Sequence, residues 1–227
     1  MKFDIPISSV EARTTKDTLI IKSEAPLKIL SSAILNGGFI EVKAIINHHI
    51  PKNYDHRDPE VLLSKVAEEL GLPVPTVGFM TAASMQNVAL AVEEYKDLTV
   101  CALITAGLSN AATAGDTVDF LPDDVGTINI ILLIDGNLTD GCMVETVKIV
   151  TEAKSVAVRE FNVKSRFSGE LASGTTTDTV VVACTGRGKP IQYAGTGTKL
   201  GEMIGKTVRR ATKEAVQKQD GIKPSVP

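Results

Sequence analysis

The residues from Ser168 to Asp178 combine glycine, hydroxyl groups and one carboxylate more densely than any other part of the chain. They lead directly into residues 180–184, an apolar run typical of a buried strand. Thr175 and Thr177 supply hydroxyl groups, and Asp178 supplies a carboxylate that could act as a base. The glycines leave backbone N–H groups uncovered, so that a ligand can approach the main chain closely. The segment therefore indicates either a ligand-binding loop that carries acid–base chemistry or a polar loop that closes onto a strand.

All three histidines of the chain lie within residues 47–58. A cluster of His and Asp this close is compatible with a metal site. His48 and His49 are adjacent on a predicted strand, however, so their side chains point to opposite faces and at most one can join a given site. We therefore place no metal in the site and favour His49 as a single imidazole for proton transfer or substrate contact. A loop of solvated histidines is the alternative.

Other charged residues and glycines are candidates for the same site. Lys154 lies nearer than Glu152 to the apolar stripe of a predicted helix, and it could point at a site or extend its stem along the surface. Asp116 ends a second loop of small residues, where its carboxylate could serve chemistry or a turn. Gly195 and Gly197 precede another predicted helix, whose N-terminus could receive a carboxylate, an amide oxygen or a phosphate.

Two types of element are predicted to position these residues. Strands are predicted over residues 17–22, 27–47 as a hairpin with a turn at 36–38, 76–82, 98–105, 127–134 and 180–184. Helices are predicted over residues 58–70, 85–95, 139–161 and 198–217. The pattern indicates a mixed α+β fold, with largely antiparallel sheet of about eight strands packed against about four helices. Layering as α/β/β/α is one arrangement of this kind.

The composition indicates how large a core the chain can form and which partners its charge does not favour. A chain of 227 residues, 43% of them hydrophobic, can bury a substantial core. We expect a single domain over residues 1–227, with a loose polar tail over residues 218–227. The net charge of -3 and the pI near 5.7 provide no electrostatic basis for binding nucleic acid or an anionic membrane.

The location is predicted from what the sequence lacks. The longest apolar stretch, residues 128–134, is too short to span a bilayer, and the first residues lack the apolar core of a signal peptide. Cys101, Cys142 and Cys184 are widely spaced and odd in number, which is typical of free buried thiols. We therefore expect a cytoplasmic protein with no membrane partner.

Five separated segments share an order and spacing that are more specific than any one of them. They are residues 31–38, 78–83, 105–110 (Thr-Ala-Gly-Leu-Ser-Asn), 151–178 and 193–201 (Tyr-Ala-Gly-Thr-Gly-Thr-Lys-Leu-Gly). Together they resemble the adenosylcobinamide amidohydrolases of the CbiZ type, over residues 28–208. The loop at 173–178 reads Ser-Gly-Thr-Thr-Thr-Asp, whereas the family pattern is closer to Thr-Gly-Thr-Gly-Thr-Asp. A mechanism that needs a left-handed backbone at Thr176 is disfavoured by this exchange.

The resemblance implies hydrolysis of one amide. Adenosylcobinamide would give adenosylcobyric acid and aminopropanol, as a step of corrinoid salvage for cobalamin synthesis, with no cofactor. Such a reaction requires an attacking oxygen, stabilisation of an oxyanion and a proton for the leaving amine. The catalytic candidates are Asp178, His49, Thr175, Thr177 and Lys154, and we prefer attack by water to attack by a threonine. The candidates for contact with the corrin substrate are Ser32, Gly37, Gly38, Thr81, Gly107, Asn110, Asp116, Gly174, Gly195 and Gly197.

Two other functions are compatible with parts of the sequence. A corrinoid-binding protein without catalysis would need the same loops. A phosphoryl-transfer enzyme could use the Gly/Thr loops for a nucleotide, but the chain lacks the Gly-Lys-Ser or Gly-Lys-Thr of a phosphate-binding loop. The expected partner is the small-molecule substrate, and assembly into a homo-oligomer is left open.

Overall fold

The strands and helices of the chain are seen in a computed structural model, which describes residues 1–52, 54, 57–118 and 126–225. The strands are β1 (Lys2–Phe3), β2 (Val10–Thr14), β3 (Thr18–Ser31), β4 (Gly38–His49), β5 (Thr76–Thr81), β6 (Ala89–Tyr95), β7 (Leu98–Ala106), β8 (Ala111–Ala112), β9 (Ile128–Asp135), β10 (Asn137–Leu138), β11 (Gly174–Thr175), β12 (Thr179–Cys184) and β13 (Pro190–Ile191). The helices are α1 (Pro59–Glu69), α2 (Asp140–Arg159) and α3 (Lys199–Asp220).

Nine of these strands form one sheet that bends at β3. The register between β3 and β4 shifts between Lys22 and Leu27. On its other edge, β3 pairs with β2 through residues 19–23 and with β12 through residues 28–31. The sheet therefore has two halves, β1-β2-β3-β4-β5 and β12-β9-β7-β6, and its pairings are antiparallel except for β4 with β5 and β9 with β12.

The two halves face each other across a shared apolar core. Ile45 and Phe79 from one half pack in the same buried cluster as Leu103 and Ile131 from the other. This burial removes apolar surface from water on the inner face of every long strand, which is the main favourable term in folding. The bend at β3 thus turns one sheet into a two-layered sandwich.

The helices cover the two outer faces of the sandwich. Leu63 of α1 packs with Ile46 on the outer face of the first half. Val150 of α2 and Val208 of α3 pack with Leu132 on the outer face of the second half. The result is an α/β/β/α arrangement, and the predicted mixed α+β fold with a mostly antiparallel sheet is confirmed.

The ends of the long helices follow from local sequence. The Thr139 hydroxyl accepts the Cys142 N–H at 3.3 Å, and the Thr198 hydroxyl accepts the Gly201 N–H at 3.0 Å, so both helices begin with a side-chain cap. Gly221 follows α3 with a φ of 68°, the left-handed conformation that commonly ends a helix. The predictions of α1, α2 and α3 are therefore confirmed to within a few residues.

The predicted helix over residues 85–95 is wrong. Only Met85–Asn87 forms a short 3₁₀ turn, and β6 follows it. The whole of β6 pairs with β7, from Ala89 opposite Ile104 to Tyr95 opposite Leu98. Apolar residues at these positions fit both periodicities, and long-range pairing with a central strand selects the extended one.

The predicted loose tail is also wrong over its first residues, because α3 continues to Asp220. The Lys218 ammonium donates to the Val88 carbonyl at 3.2 Å, and Gln219 accepts the Ser84 N–H at 3.0 Å. These contacts with the loop before β6 hold the end of α3. Residues 226 and 227 lie outside the described residues.

The cellular location is predicted from the cysteines and from the lengths of the apolar segments, and the structure describes both features. Cys101, Cys142 and Cys184 are free and buried, as expected. Burial raises the pKa of the Cys101 thiol to about 12 and that of Cys142 to about 11, so both remain protonated near neutral pH. Within the described part of the chain, helices of the length and hydropathy needed to cross a membrane are absent.

Candidate active site

One end of the sandwich collects most of the residues predicted from the sequence. The C-terminal end of β7 meets the N-terminal ends of β9 and β12 there, where Ala106 pairs with Ile128 and Asn129 pairs with Thr179. The C-terminal ends of β4 and β5 lie at the same end, since Asn129 donates to Asn47 and to the Met80 carbonyl. The loop at 174–178 enters β12 at this end, and the loop that follows β7 lies beside it. This end is the candidate active site.

An ion pair joins Lys154 of α2 to Asp178 of the loop. The Lys154 ammonium donates to Asp178 Oδ2, and the two side chains are only 11% and 13% exposed. Lys154 is thus on the buried side of α2 and points at the site rather than at solvent. Removal of either charge would leave the other buried without a partner, which is strongly unfavourable.

The other oxygen of Asp178 is held by the loop itself and by β9. Asp178 Oδ1 accepts the Thr175 hydroxyl and the Ile128 N–H, the latter at 3.1 Å. The Thr175 N–H lies 3.2 Å from both carboxylate oxygens. A hydroxyl that donates to a fixed carboxylate is the arrangement of a nucleophile or a water-binding group beside its base.

Gly174 is required by the ion pair. A Cβ at this position would lie 2.2 Å from Asp178 Oδ2 and 2.5 Å from Lys154 Nζ. The glycine belongs to β11, which pairs with β8 and so fixes the loop against the segment that follows β7. The absence of a side chain therefore lets the main chain pass directly beside the two charges.

Thr176, where the resemblance leads us to expect a glycine, has an ordinary backbone conformation. The described non-glycine residues with positive φ are Ser9, Asn36, Lys96 and Asn162. Asn110 Nδ2 donates to the Thr176 hydroxyl at 2.6 Å. The threonine side chain therefore gives the loop a contact that a glycine could not make. Asn110 lies beside the loop, and substrate contact by Asn110 stays a prediction.

Thr177 contacts the segment before β9. Its hydroxyl donates to the Gly126 carbonyl at 3.0 Å, and its own carbonyl accepts the Thr127 hydroxyl at 2.8 Å. Both contacts fix the loop in place. A catalytic role for Thr177 stays a prediction.

A buried polar network beneath the loop was missed by sequence reasoning. Asn129 Nδ2 donates to Asn47 Oδ1 at 3.1 Å and to the Met80 carbonyl at 2.7 Å. Asn47 Nδ2 in turn donates to the Thr105 hydroxyl at 2.9 Å. The available signal was the interruption of the apolar run at 128–134 by Asn129, which alternation assigns to a buried face.

The two described histidines lie at the end of β4 and contact different partners. His48 Nδ1 is 2.8 Å from the Thr18 hydroxyl, and His49 Nδ1 is 3.1 Å from the Ala83 carbonyl. Burial lowers the pKa of His48. Among the described residues, hydrogen bonds join His49 to neither Lys154 nor Asp178, so its catalytic role stays a prediction.

The histidine cluster predicted from the sequence comprises His48, His49 and His56. His56 lies outside the described residues. Within the ranges that the structure describes, groups of three or more His, Cys, Asp or Glu side chains that could hold a metal ion are absent.

The segment after β3 reaches the site from the other half of the sheet. The Ser32 hydroxyl accepts the Val180 N–H at 3.2 Å, two residues from Asp178. Leu35 then pairs with Gly78 on the outer edge of β5. Gly37 has no room for a Cβ, which would lie 2.4 Å from the Ala33 carbonyl oxygen. Gly38 has a φ of 90°.

Several other predicted residues have side chains or backbones already engaged in loop structure. The Thr81 hydroxyl accepts the Ala83 N–H at 3.0 Å. The Asp116 carboxylate accepts the Thr113 N–H at 2.7 Å and the Ser165 hydroxyl, and the bond from Ser165 is the main cause of its lowered pKa. Substrate contact by Thr81 and Asp116 stays a prediction.

Gly195 and Gly197 lie in the segment that precedes α3, and substrate contact by these two glycines stays a prediction. The preceding Ala194 N–H donates to Glu145 near the start of α2 at 2.8 Å. Glu145 precedes Lys154 by nine residues, about 13 Å along the helix axis. Gly107, in contrast, lies at the candidate active site, where its N–H donates to the Thr127 carbonyl at 3.0 Å.

Comparison with known proteins agrees with the family resemblance drawn from the order of the motifs. The sequence pattern of the adenosylcobinamide amidohydrolase (CbiZ) family matches residues 4–224. An uncharacterized protein of Methanocaldococcus jannaschii is 38% identical over 231 residues, which cover 91% of this chain and 88% of that protein. An adenosylcobinamide amidohydrolase of Methanosarcina mazei is 30% identical over 88% of this chain and 94% of its own length.

A third relative matches a shorter region. The adenosylcobinamide amidohydrolase of Halobacterium salinarum is 30% identical over 131 residues, or 55% of this chain and 53% of that protein. The family match, by contrast, spans all the elements from β2 to α3, including the loop that carries Asp178. The chain therefore belongs to the adenosylcobinamide amidohydrolase family and is an amide-cleaving hydrolase.

Proposed function

We propose that the protein hydrolyses the amide that joins the aminopropanol arm to the corrin ring of adenosylcobinamide, giving adenosylcobyric acid and aminopropanol. Family membership supports the substrate. The observation that carries the chemistry is the buried Asp178 carboxylate, which is paired with Lys154 and accepts the Thr175 hydroxyl. The reaction would salvage a corrinoid for cobalamin synthesis.

The residues at the site suggest the following roles. Asp178 takes a proton from the attacking water, whose oxygen adds to the amide carbonyl carbon while the C–N bond breaks. The proton passes to the departing amine, so that a carboxylate and an amine are the products. Lys154 pairs with Asp178 Oδ2 and holds the carboxylate in place through a charge-assisted hydrogen bond. The Thr175 hydroxyl, which already donates to Asp178, is the alternative nucleophile.

The cellular setting of the reaction is part of the proposal. The free, buried cysteines support a reducing compartment, and we place the protein in the cytoplasm. The acidic net charge supports a small-molecule substrate rather than nucleic acid.

Incubation of the purified protein with adenosylcobinamide, followed by chromatography, tests the reaction directly. Equal amounts of adenosylcobyric acid and aminopropanol are expected. Tight binding of adenosylcobinamide without product would instead identify a corrinoid-binding protein. A protein that neither binds nor cleaves the compound would contradict both functions.

Asp178→Asn tests the proposed base. Because the amide cannot accept a proton from water, we expect kcat to fall by about 10²- to 10⁴-fold. Lys154 also loses its counter-charge, which lowers the free energy of unfolding by about 3–5 kcal/mol. The kinetics are therefore measured at a temperature below the thermal unfolding midpoint of the variant.

The matched control is Asp135→Asn at the other end of β9, where Asp135 accepts the Thr185 hydroxyl at 2.6 Å. It makes the same chemical change away from the candidate active site and should leave kcat close to that of the wild type. Wild-type turnover by folded Asp178→Asn protein would contradict the role of Asp178.

A further inference from the structure

Three polar side chains lie between the two halves of the sheet, in positions that apolar side chains otherwise fill. Asn129 on β9 is opposite Thr105 on β7, and Asn47 reaches both from β4 in the facing half. All three are 1% exposed. Their neighbours two residues along the same strands, such as Ile131 and Leu103, belong to the apolar core between the halves. Polar groups buried this deeply are unfavourable unless they are hydrogen-bonded.

The orientation of the Asn129 amide is set by a main-chain group. Its Nδ2 donates to the Met80 carbonyl at 2.7 Å, and a carbonyl oxygen can only accept. If the amide were rotated by 180°, Asn129 Oδ1 and the Met80 carbonyl oxygen would face each other, and both are acceptors. Asn129 Oδ1 therefore faces the Thr127 hydroxyl, which lies 3.1 Å away.

Thr127 connects the network to the loop that carries the site. Its hydroxyl is also 2.8 Å from the Thr177 carbonyl, so its proton is shared between two acceptors, with the shorter contact to the loop. The next residue, Ile128, donates its N–H to Asp178 Oδ1 at 3.1 Å. Consecutive residues at the start of β9 thus hold the carbonyl of Thr177 and the carboxylate of Asp178.

We propose that Asn129 and Thr127 are positioning residues, which fix the Thr177 carbonyl and through it the directions of the Asp178 carboxylate and the Thr175 hydroxyl. The inference rests on the function proposed above for Asp178. Apolar packing would fill the same space, but it is non-directional, whereas a hydrogen bond restrains both distance and angle. Through these hydrogen bonds, the positions of β4 and β5 determine the position of the loop at 174–178.

A comparison of Thr127→Val with Thr127→Ser distinguishes the effect of losing the hydroxyl from the effect of changing the shape of the side chain. Valine keeps the shape and removes the bond to Thr177, so we expect kcat to fall by about 10- to 100-fold because the reacting groups are misplaced. KM should change by less than about threefold, since the Thr127 side chain is buried and only 5% exposed. Serine keeps the hydroxyl and should retain most of the wild-type kcat.

Thr105→Val is the matched control for stability. It makes the same change at the far end of the network, where the Thr105 hydroxyl accepts from Asn47 and has no contact with the loop. Both valine variants leave a buried polar partner unpaired, so both should lower the unfolding midpoint. Only Thr127→Val should lower kcat strongly.

Hydrogen exchange at the Thr175 and Ile128 amides gives a second readout that needs no turnover, since both N–H groups donate to Asp178. Exchange should be faster in Thr127→Val and unchanged in Thr105→Val and Thr127→Ser. Wild-type kcat and exchange in Thr127→Val, or equal losses in the two valine variants, would overturn the positioning role. If the wild-type protein leaves adenosylcobinamide intact, the proposed function fails, and the exchange rates still decide whether Thr127 holds the loop.

Discussion

Gly174 is confined between the two charges of the candidate active site. The position that a Cβ would occupy is within 2.5 Å of both Lys154 Nζ and Asp178 Oδ2, so even the smallest side chain must displace the ion pair. The β11–β8 pairing prevents the main chain from moving away freely. Glycine is needed at this position because the main chain passes close to the ion pair, and not because of its conformation, since its backbone φ is not in the left-handed region.

Gly174→Ala is therefore expected to lower kcat by about 100-fold or more, because the methyl group separates Asp178 from its partners. The measurement is steady-state turnover of adenosylcobinamide, with circular dichroism to confirm folding. Gly141→Ala is the control, since nothing lies within 4 Å of a Cβ at Gly141 in α2, and it should keep wild-type kcat. Full activity in folded Gly174→Ala protein would show that the ion pair tolerates displacement.

At the scale of an element, α3 contains two glycines one turn apart that have different surroundings. A Cβ on Gly201 would lie 2.2 Å from the Gly195 carbonyl oxygen, so this glycine lets α3 pack against the segment before it. Nothing lies within 4 Å of a Cβ on Gly205, which lines an open groove of about 630 Å³ between α2 and α3. Gly205 therefore costs helix stability without any packing contact in return.

Gly205→Ala should stabilise the protein by about 1 kcal/mol, the difference between alanine and glycine in a helix interior. Chemical denaturation would show this as a higher midpoint with an unchanged slope. Gly201→Ala, the same change one turn earlier, should instead destabilise the protein because of its steric overlap. A destabilised Gly205→Ala variant would indicate that the groove is occupied by something that the alanine displaces.

At the scale of the whole molecule, the last turn of α3 ties together loops from different parts of the sandwich. Asp220 Oδ2 accepts the Leu108 N–H at 2.8 Å, beside Gly107, and Gln219 accepts the Ser84 N–H. Burial raises the pKa of Asp220 above its ordinary value, more than the Leu108 N–H and the charge of Lys52 lower it. The last turn of α3 therefore contributes a partly desolvated carboxylate to the support of the candidate active site.

The raised pKa predicts the sign of a pH effect. The folded state binds the Asp220 proton more tightly than the unfolded state does. This contribution to stability is full below pH 3.8 and is lost as the pH rises through the folded-state pKa. Asp220→Asn keeps an oxygen for Leu108 and removes the charge, so it should raise the thermal midpoint at pH 7 and do so less at pH 4. An equal effect at both pH values would contradict this explanation.

Much of this organisation could be predicted from the residues alone, and the failures have physical causes. Helix-starting residues and apolar stripes are local features, so the sequence alone predicts α1, α2 and α3. The segment at 85–95 has apolar residues that fit both periodicities, and only its pairing with β7 makes it a strand. The sequence at the end of α3 is polar and predicts a loose tail, but contacts with distant loops keep this segment helical.

The sequence by itself determined the chemistry available and the family: a dense loop of glycine, hydroxyls and Asp178, in a recognisable order with four other segments. Only the tertiary structure decided which groups meet. It pairs Lys154 with Asp178 across 24 positions of sequence and joins Asn47 to Asn129 across 82 positions. The physical reason is that side-chain contacts depend on where the bent sheet and α2 bring distant residues, and residue spacing along the chain does not carry that information.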